Sequence, residues 1–357
     1  MAPQRPRQPS ELMPELVEEI LIRLPPDDPA TLVRASVVCK RWRRILTDPT
    51  FRRRYSVFHR APTLIGFLYD CHTFGGGEGA TPRFVSTLTP SPFPHRALVD
   101  YDGCRILDCR HGRILFNTSG ESVNLVVWDP ATGRRQRLPE PRVPCWHYTA
   151  AVLCAATVHG CDHVCCHGGP FLVVLAGFDR ARNILRSHLY SSEAGAWTAS
   201  ADLPYCNITS RKPSALIGGD LYFVLVPRDM ILRYNMSKNC LSIIRSPAEH
   251  EVHGGAALVP MEDGSLGFAQ LYLWSRNVDP EVGGGWVRCW AVELRTLIPF
   301  ASTIEVVGAA ERFGTIFVAT DVGVFTIELK SGRKRKVAEP GEYSAIFSFM
   351  SCFYAPG

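Results

Sequence analysis

The chain of 357 residues is 46% hydrophobic and 20% charged with a mean hydropathy of zero, the composition of a folded chain of about two domains with a sizeable core, which excludes a disordered one. Its longest apolar runs, 150–158 and 171–178, fall far short of the about 20 residues of a membrane helix, and 13 cysteines without framework spacing are expected as reduced thiols. The net charge of +5 sits wholly in residues 1–60, which predicts a small basic module joined to a large neutral body.

Residues 1–10, Met-Ala-Pro-Gln-Arg-Pro-Arg-Gln-Pro-Ser, have no apolar core of signal-peptide length, so a disordered start on an unsecreted protein is expected. Short helices are predicted from there to residue 58. Leu16, Val17, Ile20, Leu21 and Leu24 make one helical stripe behind Pro14, and Pro25-Pro26 stops it. Asp28-Pro29 and Asp48-Pro49 read as an N-cap followed by a proline at the first helical position. Leu32, Val38, Trp42, Ile45 and Leu46 lie between them at helical spacing, and Phe51, Tyr55 and Phe58 follow. Fewer than 50 residues cannot bury so many large side chains, so part of this set is expected to face a partner or the rest of the chain.

The order Met13-Pro14-x-Leu16-Val17-x-x-Ile20-Leu21-x-x-Leu24-Pro25, then Leu32-x-Arg34-Ala35-Ser36-x-Val38-Cys39-Lys40-x-Trp42-Arg43, then Asp48-Pro49-x-Phe51, resembles the F-box. It departs from that pattern at Met13, where leucine is usual; the volume hardly changes. The resemblance implies binding to the Skp-type adaptor of a cullin–RING ubiquitin ligase. Carried over, Pro14, Leu16, Ile20, Leu24, Val38, Cys39, Trp42 and Phe51 would face the adaptor or hold the helices that do. The basic run Lys40, Arg41, Arg43, Arg44, Arg52, Arg53, Arg54 and Arg60 suits an acidic protein partner or a solvated face; without a groove-reading motif, no nucleic acid is expected.

From about residue 61 the pattern changes to short β-branched and aromatic runs between turn residues, such as Phe171–Leu175, Leu221–Val226 and Thr315–Ala319, with no convincing helical period. Glycines at 112, 169, 219, 264 and 314 each precede a strand. Downstream come an apolar anchor, four residues and then Gly or Asn, at Trp128/Gly133, Tyr190/Gly195, Tyr234/Asn239 and Ile327/Gly332, each return ending at Pro139, Pro204, Pro247 or Pro340. Units of about 50 residues with four strands are the size of a kelch-like propeller blade. Residues 61–357 then hold about six, the first shared between 63–88 and a closing strand around 346–354. This part is similar to the β-propeller that follows the F-box in many plant F-box proteins. A pair of β-sandwiches or an irregular barrel is the alternative fold.

Few stretches suggest chemistry. His159 to His167 carries Cys and His at metal-like spacing without a second pair, and is read as a reduced loop. Gly75–Gly79 lacks the Lys-Ser/Thr of a phosphate cradle, and no catalytic signature appears. Arg333–Lys336 is read as a solvent-facing strand before a nuclear-localisation cluster. Target-binding residues are sought in three longer connections, giving Trp146 and Tyr148 in 142–148, Arg211 in 205–212 and Trp286 in 275–286.

The expectation is an all-α F-box module (11–60) followed by an all-β propeller (61–357), an α+β multidomain chain. Its expected work is substrate recognition in an SCF-type ubiquitin ligase, through a Skp-type adaptor, a cullin behind it and an unidentified target protein. No catalytic residue, cofactor, metal or membrane contact is expected, and the cytoplasm and/or nucleus is the expected location. The rival is a propeller enzyme or small-molecule binder with an unrelated helical cap.

Overall fold

A computed structural model describes residues 13–25, 29–59, 63–72, 80–87, 91, 93–118, 122–130, 132–141, 145–156, 166, 169–204, 212–225, 230–247, 255–270, 272–276, 285–289, 294–300, 302–310 and 314–351. Four helices come first: α1 (Pro14–Ile22), α2 (Pro29–Val38), α3 (Lys40–Thr47) and α4 (Pro49–His59). Prolines open three of them, where the missing N–H costs nothing. Asp48 caps α4 as expected: its Oδ1 accepts from the N–H groups of Thr50 (2.8 Å) and Phe51 (3.1 Å). Asp28 lies outside the described residues. α1 ends at Ile22, ahead of the proline pair, and Leu24 stands past its end.

The helices share one small core of Val17, Leu21, Ile22, Leu32, Ala35, Leu46, Phe51 and Tyr55. Helix α4 closes the end of α1. The Tyr55 hydroxyl donates to the Leu24 carbonyl at 2.7 Å, and the His59 ring meets the Ile22 carbonyl at 2.7 Å. The Ile22 carbonyl belongs to the last turn and has no helical partner of its own, and that of Leu24 lies just past the cap.

The body contains 23 strands among its described residues, in six antiparallel sheets. Blade two is β3 (Arg105–Arg110), β4 (Arg113–Asn117), β5 (Leu125–Trp128) and β6 (Arg135–Arg137). Blade three is β7 (Cys145–Cys154), β8 (Phe171–Asp179), β9 (Ile184–Ser191) and β10 (Ala196–Leu203). Blade four is β11 (Ala215–Ile217), β12 (Asp220–Val224), β13 (Met230–Asn235) and β14 (Cys240–Arg245). Blade five is β15 (Ala257–Pro260), β16 (Leu266–Ala269), β17 (Leu273–Arg276) and β18 (Val287–Arg288). Blade six is β19 (Ile304–Ala310), β20 (Thr315–Thr320), β21 (Gly323–Glu328) and β22 (Lys334–Ala338).

Blade one closes the ring. Its order is β2 (Ala80–Ser86), β1 (Thr63–His72), β23 (Phe347–Ser351), so the last strand of the chain pairs with the first, as expected. The first strands of successive blades meet round the axis, β23 on β3, β3 on β7, β11 on β15, β15 on β19 and β19 on β23. The chain is a few short helices followed by a six-bladed, all-β propeller.

The repeat is legible in the turns. Gly133, Gly195, Asn239 and Gly332 all have positive φ and join the third strand to the fourth in blades two, three, four and six. An L side chain resists that conformation, which is why glycine or asparagine recurs there. The five blade-opening glycines stand in the connections from first to second strand. Two short helical turns interrupt the β pattern: a 3-10 helix, His95–Tyr101, between blades one and two, and α5 (Leu294–Leu297), after β18.

The core is divided among the gaps between blades. Along β4, Ile114 and Phe116 face blade one and Leu115 faces blade three. Along β8, Val173 and Leu175 face blade two, and Val174 and Ala176 face blade four. Both faces are covered, so period-two alternation reads in the sequence as continuous apolar runs.

Candidate functional site

The helical module leaves a set of apolar side chains outside its core. Leu16 and Ile20, one turn apart on α1, are 51% and 46% exposed, and Val38 at the end of α2 is 62% exposed. Val17 and Leu21, on the opposite side of α1, are buried. Of the residues the F-box resemblance marks, Pro14 and Cys39 are also exposed, Leu24 and Trp42 are half-buried against the core, and Phe51 is inside it. The set thus divides into residues that a partner can touch and residues that hold the helices in place. Cys39 does a second job: its sulfur accepts the Trp42 N–H at 3.5 Å and caps α3.

The module also presents charge. Lys40, Arg43, Arg44 and Arg53 are exposed. Arg54 pairs with Glu18 (2.8 Å) and Glu19 (3.5 Å) and so ties α4 to α1. The Arg52 Nε donates to the Leu46 carbonyl. Arg60 lies outside the described residues. The Phe51 N–H, with that of Thr50, holds the Asp48 carboxyl below its ordinary range.

The expected recognition loops of the body fare differently. Residue 145 already opens β7, so Tyr148 is a strand residue and not a loop residue. It is buried between blades two and three, with the Arg105 guanidinium 5.2 Å from its ring centre. The side chain of Trp146, and Arg211, lie outside the described residues. Lys212 turns inward, reaching Glu305 at 3.1 Å and the carbonyls of Val306 and Ser344. Trp286 packs on Phe268 with ring centres 6.0 Å apart and donates its Nε1 to the Arg245 carbonyl at 2.7 Å.

That last bond belongs to a repeat. A donor at the start of a fourth strand reaches the segment that precedes its own blade. Trp197 donates to the Pro139 carbonyl (2.6 Å), Lys334 to that of Leu297 (2.5 Å), and Arg135 to the Asp100 carboxylate (2.7 Å). Trp286 is therefore a clasp between blades four and five. Its indole gains packing and a hydrogen bond inside the molecule, which leaves little of it for a partner.

Sequence reading also missed the axis. Asp108 and Arg110 are almost fully buried and pair at 3.3 Å. The Asp108 Oδ2 accepts the Val152 N–H of blade three, and Arg110 reaches Ser214 at the start of blade four. Lys212 bridges blade four to blade six and to the segment before β23. Polar side chains thus cross-brace the ring where the first strands converge. A charged pair inside Ile-Leu-Asp-Cys-Arg was the available signal. Arg333–Lys336 leads into and occupies the fourth strand of blade six with these residues exposed, as the strand reading expected. Of the 159–167 stretch, only Cys166 is described, and no cluster of metal-ligating side chains occurs among the described residues. No helix among them is long and apolar enough to cross a membrane.

Comparison with known proteins identifies the helical module. Residues 10–54 match the F-box domain. An F-box protein of Arabidopsis thaliana is 26% identical over 285 residues, which is 74% of this chain; the match spans 63% of that relative's length. Among solved structures, the chain is similar to TolB from Acinetobacter baumannii, at 10% identity and a TM-score of 0.41 over 68% of this chain and 54% of TolB. The chain carries an F-box domain at its N-terminus, followed by a six-bladed β-propeller.

Proposed function

We propose that this protein is the substrate-recognition subunit of an SCF-type ubiquitin ligase. The F-box docks on a Skp-type adaptor, which connects it to a cullin, and the propeller holds a target protein. The observation that carries this reading is the pairing of an F-box match with Leu16, Ile20 and Val38 exposed over a packed module core, with Val37, Val57 and Phe58 exposed as well. Apolar side chains left in water over a sound core are what a docking partner covers. The exposed Lys40, Arg43, Arg44 and Arg53 of the same module suit an acidic adaptor. We place the working boundary near residue 60 and the protein in the cytoplasm or nucleus, where its expected thiols stay reduced.

The chemistry assigned to this chain is proximity. Holding the target raises the effective concentration of its lysines near the ubiquitin-loaded partner, and no bond is made or broken by residues of this chain. The test is capture of a purified Skp-type adaptor by the full chain and by the chain lacking residues 1–60. Capture confined to the full chain supports the reading. Capture at full strength without residues 1–60 would end it.

A further inference from the structure

Lysine is ordinarily among the commonest residues of a folded protein. Here only six of the 39 basic residues are lysine, and 33 are arginine. None lies between Lys40 and Lys212, and none between Lys238 and Lys330. Arg83, Arg96, Arg134, Arg180 and Arg182 are exposed, at positions where a lysine would solvate the surface as well. The two side chains carry the same charge, but only the lysine amine sheds a proton and is acylated.

The six lysines differ in what they can offer. Lys40 is exposed beside Val38 and Cys39, in the set assigned to the adaptor. Lys212, between blades three and four, has a side chain only 12% exposed and is held by Glu305 and the carbonyls of Val306 and Ser344. Lys334 holds the Leu297 carbonyl, and Lys336 passes over Gly323 to Glu339 at 2.8 Å. Two remain. Lys238 is exposed between β13 and β14. Lys330, between β21 and β22, has a side chain 81% exposed, and its pair with Glu262 at 3.2 Å joins two solvated groups that hold each other weakly.

Both of these lie in third-to-fourth connections, on one face of the ring. The start of β1 is on the same face, because Thr63 stands opposite the end of β23 as a second strand stands opposite the end of the first in the other blades. The chain from the helical module therefore enters on the face that carries Lys238 and Lys330. The opposite face has Lys212 alone, and that amine is engaged.

We propose that ubiquitin transfer onto this chain, inside its own complex, falls on Lys238 and Lys330, and that the arginine-rich surface spares the rest of the propeller. The proposal rests on the ligase reading. In the transfer the lysine ammonium gives one proton to solvent and its Nζ attacks the thioester carbonyl carbon at the ubiquitin C-terminus. The C–N isopeptide bond forms, the C–S bond breaks, and the second proton goes with the sulfur, which leaves as the thiol of the ubiquitin-loaded partner. With so few acceptors on the receptor, proximity works mainly on the target it holds.

The experiment assembles the full chain with a purified Skp-type adaptor, a cullin–RING ligase and a conjugating enzyme. It supplies ubiquitin whose own amines are methylated, so that each addition is single, and reads modified lysines by peptide mass spectrometry. Lys238→Arg with Lys330→Arg is expected to slow self-modification about tenfold, and Lys334→Arg with Lys336→Arg about twofold or less. Adding Arg134→Lys, beside Gly133 in the matching turn of blade two, to the first of these chains is expected to bring the rate back to within about threefold of the unaltered chain. Modification centred on Lys40, Lys212, Lys334 or Lys336, or none on a chain that captures the adaptor, overturns the acceptor assignment. An Arg134→Lys chain that stays as slow overturns the sparing role of arginine. Acetylation of the full chain by an N-hydroxysuccinimide ester needs no ligase: Lys238 and Lys330 should react at least about tenfold faster than Lys212, and equal rates overturn the ranking of the amines. Adaptor capture is measured on every variant and is expected to be unchanged. A chain that captures no adaptor sinks the ligase reading, whereas one that captures it and is modified elsewhere sinks only the acceptor assignment.

Discussion

The helical module and the propeller treat their apolar side chains in opposite ways. Every gap between blades has its own buried cluster, and the ring closes with strands from both ends of the chain. The module closes one small core of eight buried residues and leaves Leu16, Ile20 and Val38 in water. A ring has a neighbour for each sheet face, whereas four short helices have too little interior for all their outward stripes. The difference is what the proposed docking of the module on a partner would use.

The comparison breaks most severely if the ring is opened. Deleting residues 343–357 removes β23 and with it Ile346, Phe347 and Phe349 from the cores on both sides of blade one, and leaves β1 with a free edge. Aggregation in size-exclusion chromatography is expected; a soluble product with unchanged melting would refute closure as the source of stability.

Next in size is the axial brace. Asp108→Ala leaves Arg110 buried without its carboxylate and is expected to cost about 3–5 kcal/mol in denaturant unfolding. A loss under about 1 kcal/mol would mean that water satisfies Arg110 and the brace is dispensable. Leu175→Ala, in the gap between blades two and three, is expected to cost about 2–5 kcal/mol, and adaptor capture by the folded fraction should not change.

The module should behave the other way. Leu16→Asp with Ile20→Asp is expected to weaken adaptor capture by about 100-fold or more, because two carboxylates would be buried unpaired at the contact. Unfolding of the free chain should move by about 0.5 kcal/mol or less, since both side chains already face solvent. Stability lost in step with capture would show that these leucine and isoleucine side chains support the fold.

The smallest effect tests the clasp. Trp286→Phe keeps the ring against Phe268 and removes the donor to Arg245, for an expected cost of about 1 kcal/mol. Target capture should be unaffected. Loss of target with stability intact would return Trp286 to the recognition surface.

Much of this was legible before any coordinates. The order of Pro14, Leu16, Ile20, Val38, Trp42 and Phe51 pointed to the module, because helix caps and stripes are local devices. The glycine and asparagine turns fixed the repeat, because a positive φ restricts residue choice wherever it falls. Tyr148 and Trp286 pack between blades instead of facing outward, for the complementary reason. An aromatic beside a proline-rich turn has the same sequence signature whether it faces a partner or the next blade.

Local periodicity and turn chemistry thus made the two-part organisation, the helices and the blade period readable, and the sharing of blade one by both chain ends followed from the need of a ring to close. What each polar or aromatic side chain does between blades is settled on folding. Trp286 and Trp197 clasp, and Asp108 with Arg110 and Lys212 brace the axis. Their partners lie 41 to 132 residues away for Trp286, Trp197, Lys212 and the Arg110–Ser214 link, a separation that spacing in one chain cannot encode. Contacts of that kind arise when the ring closes and brings distant strand ends together.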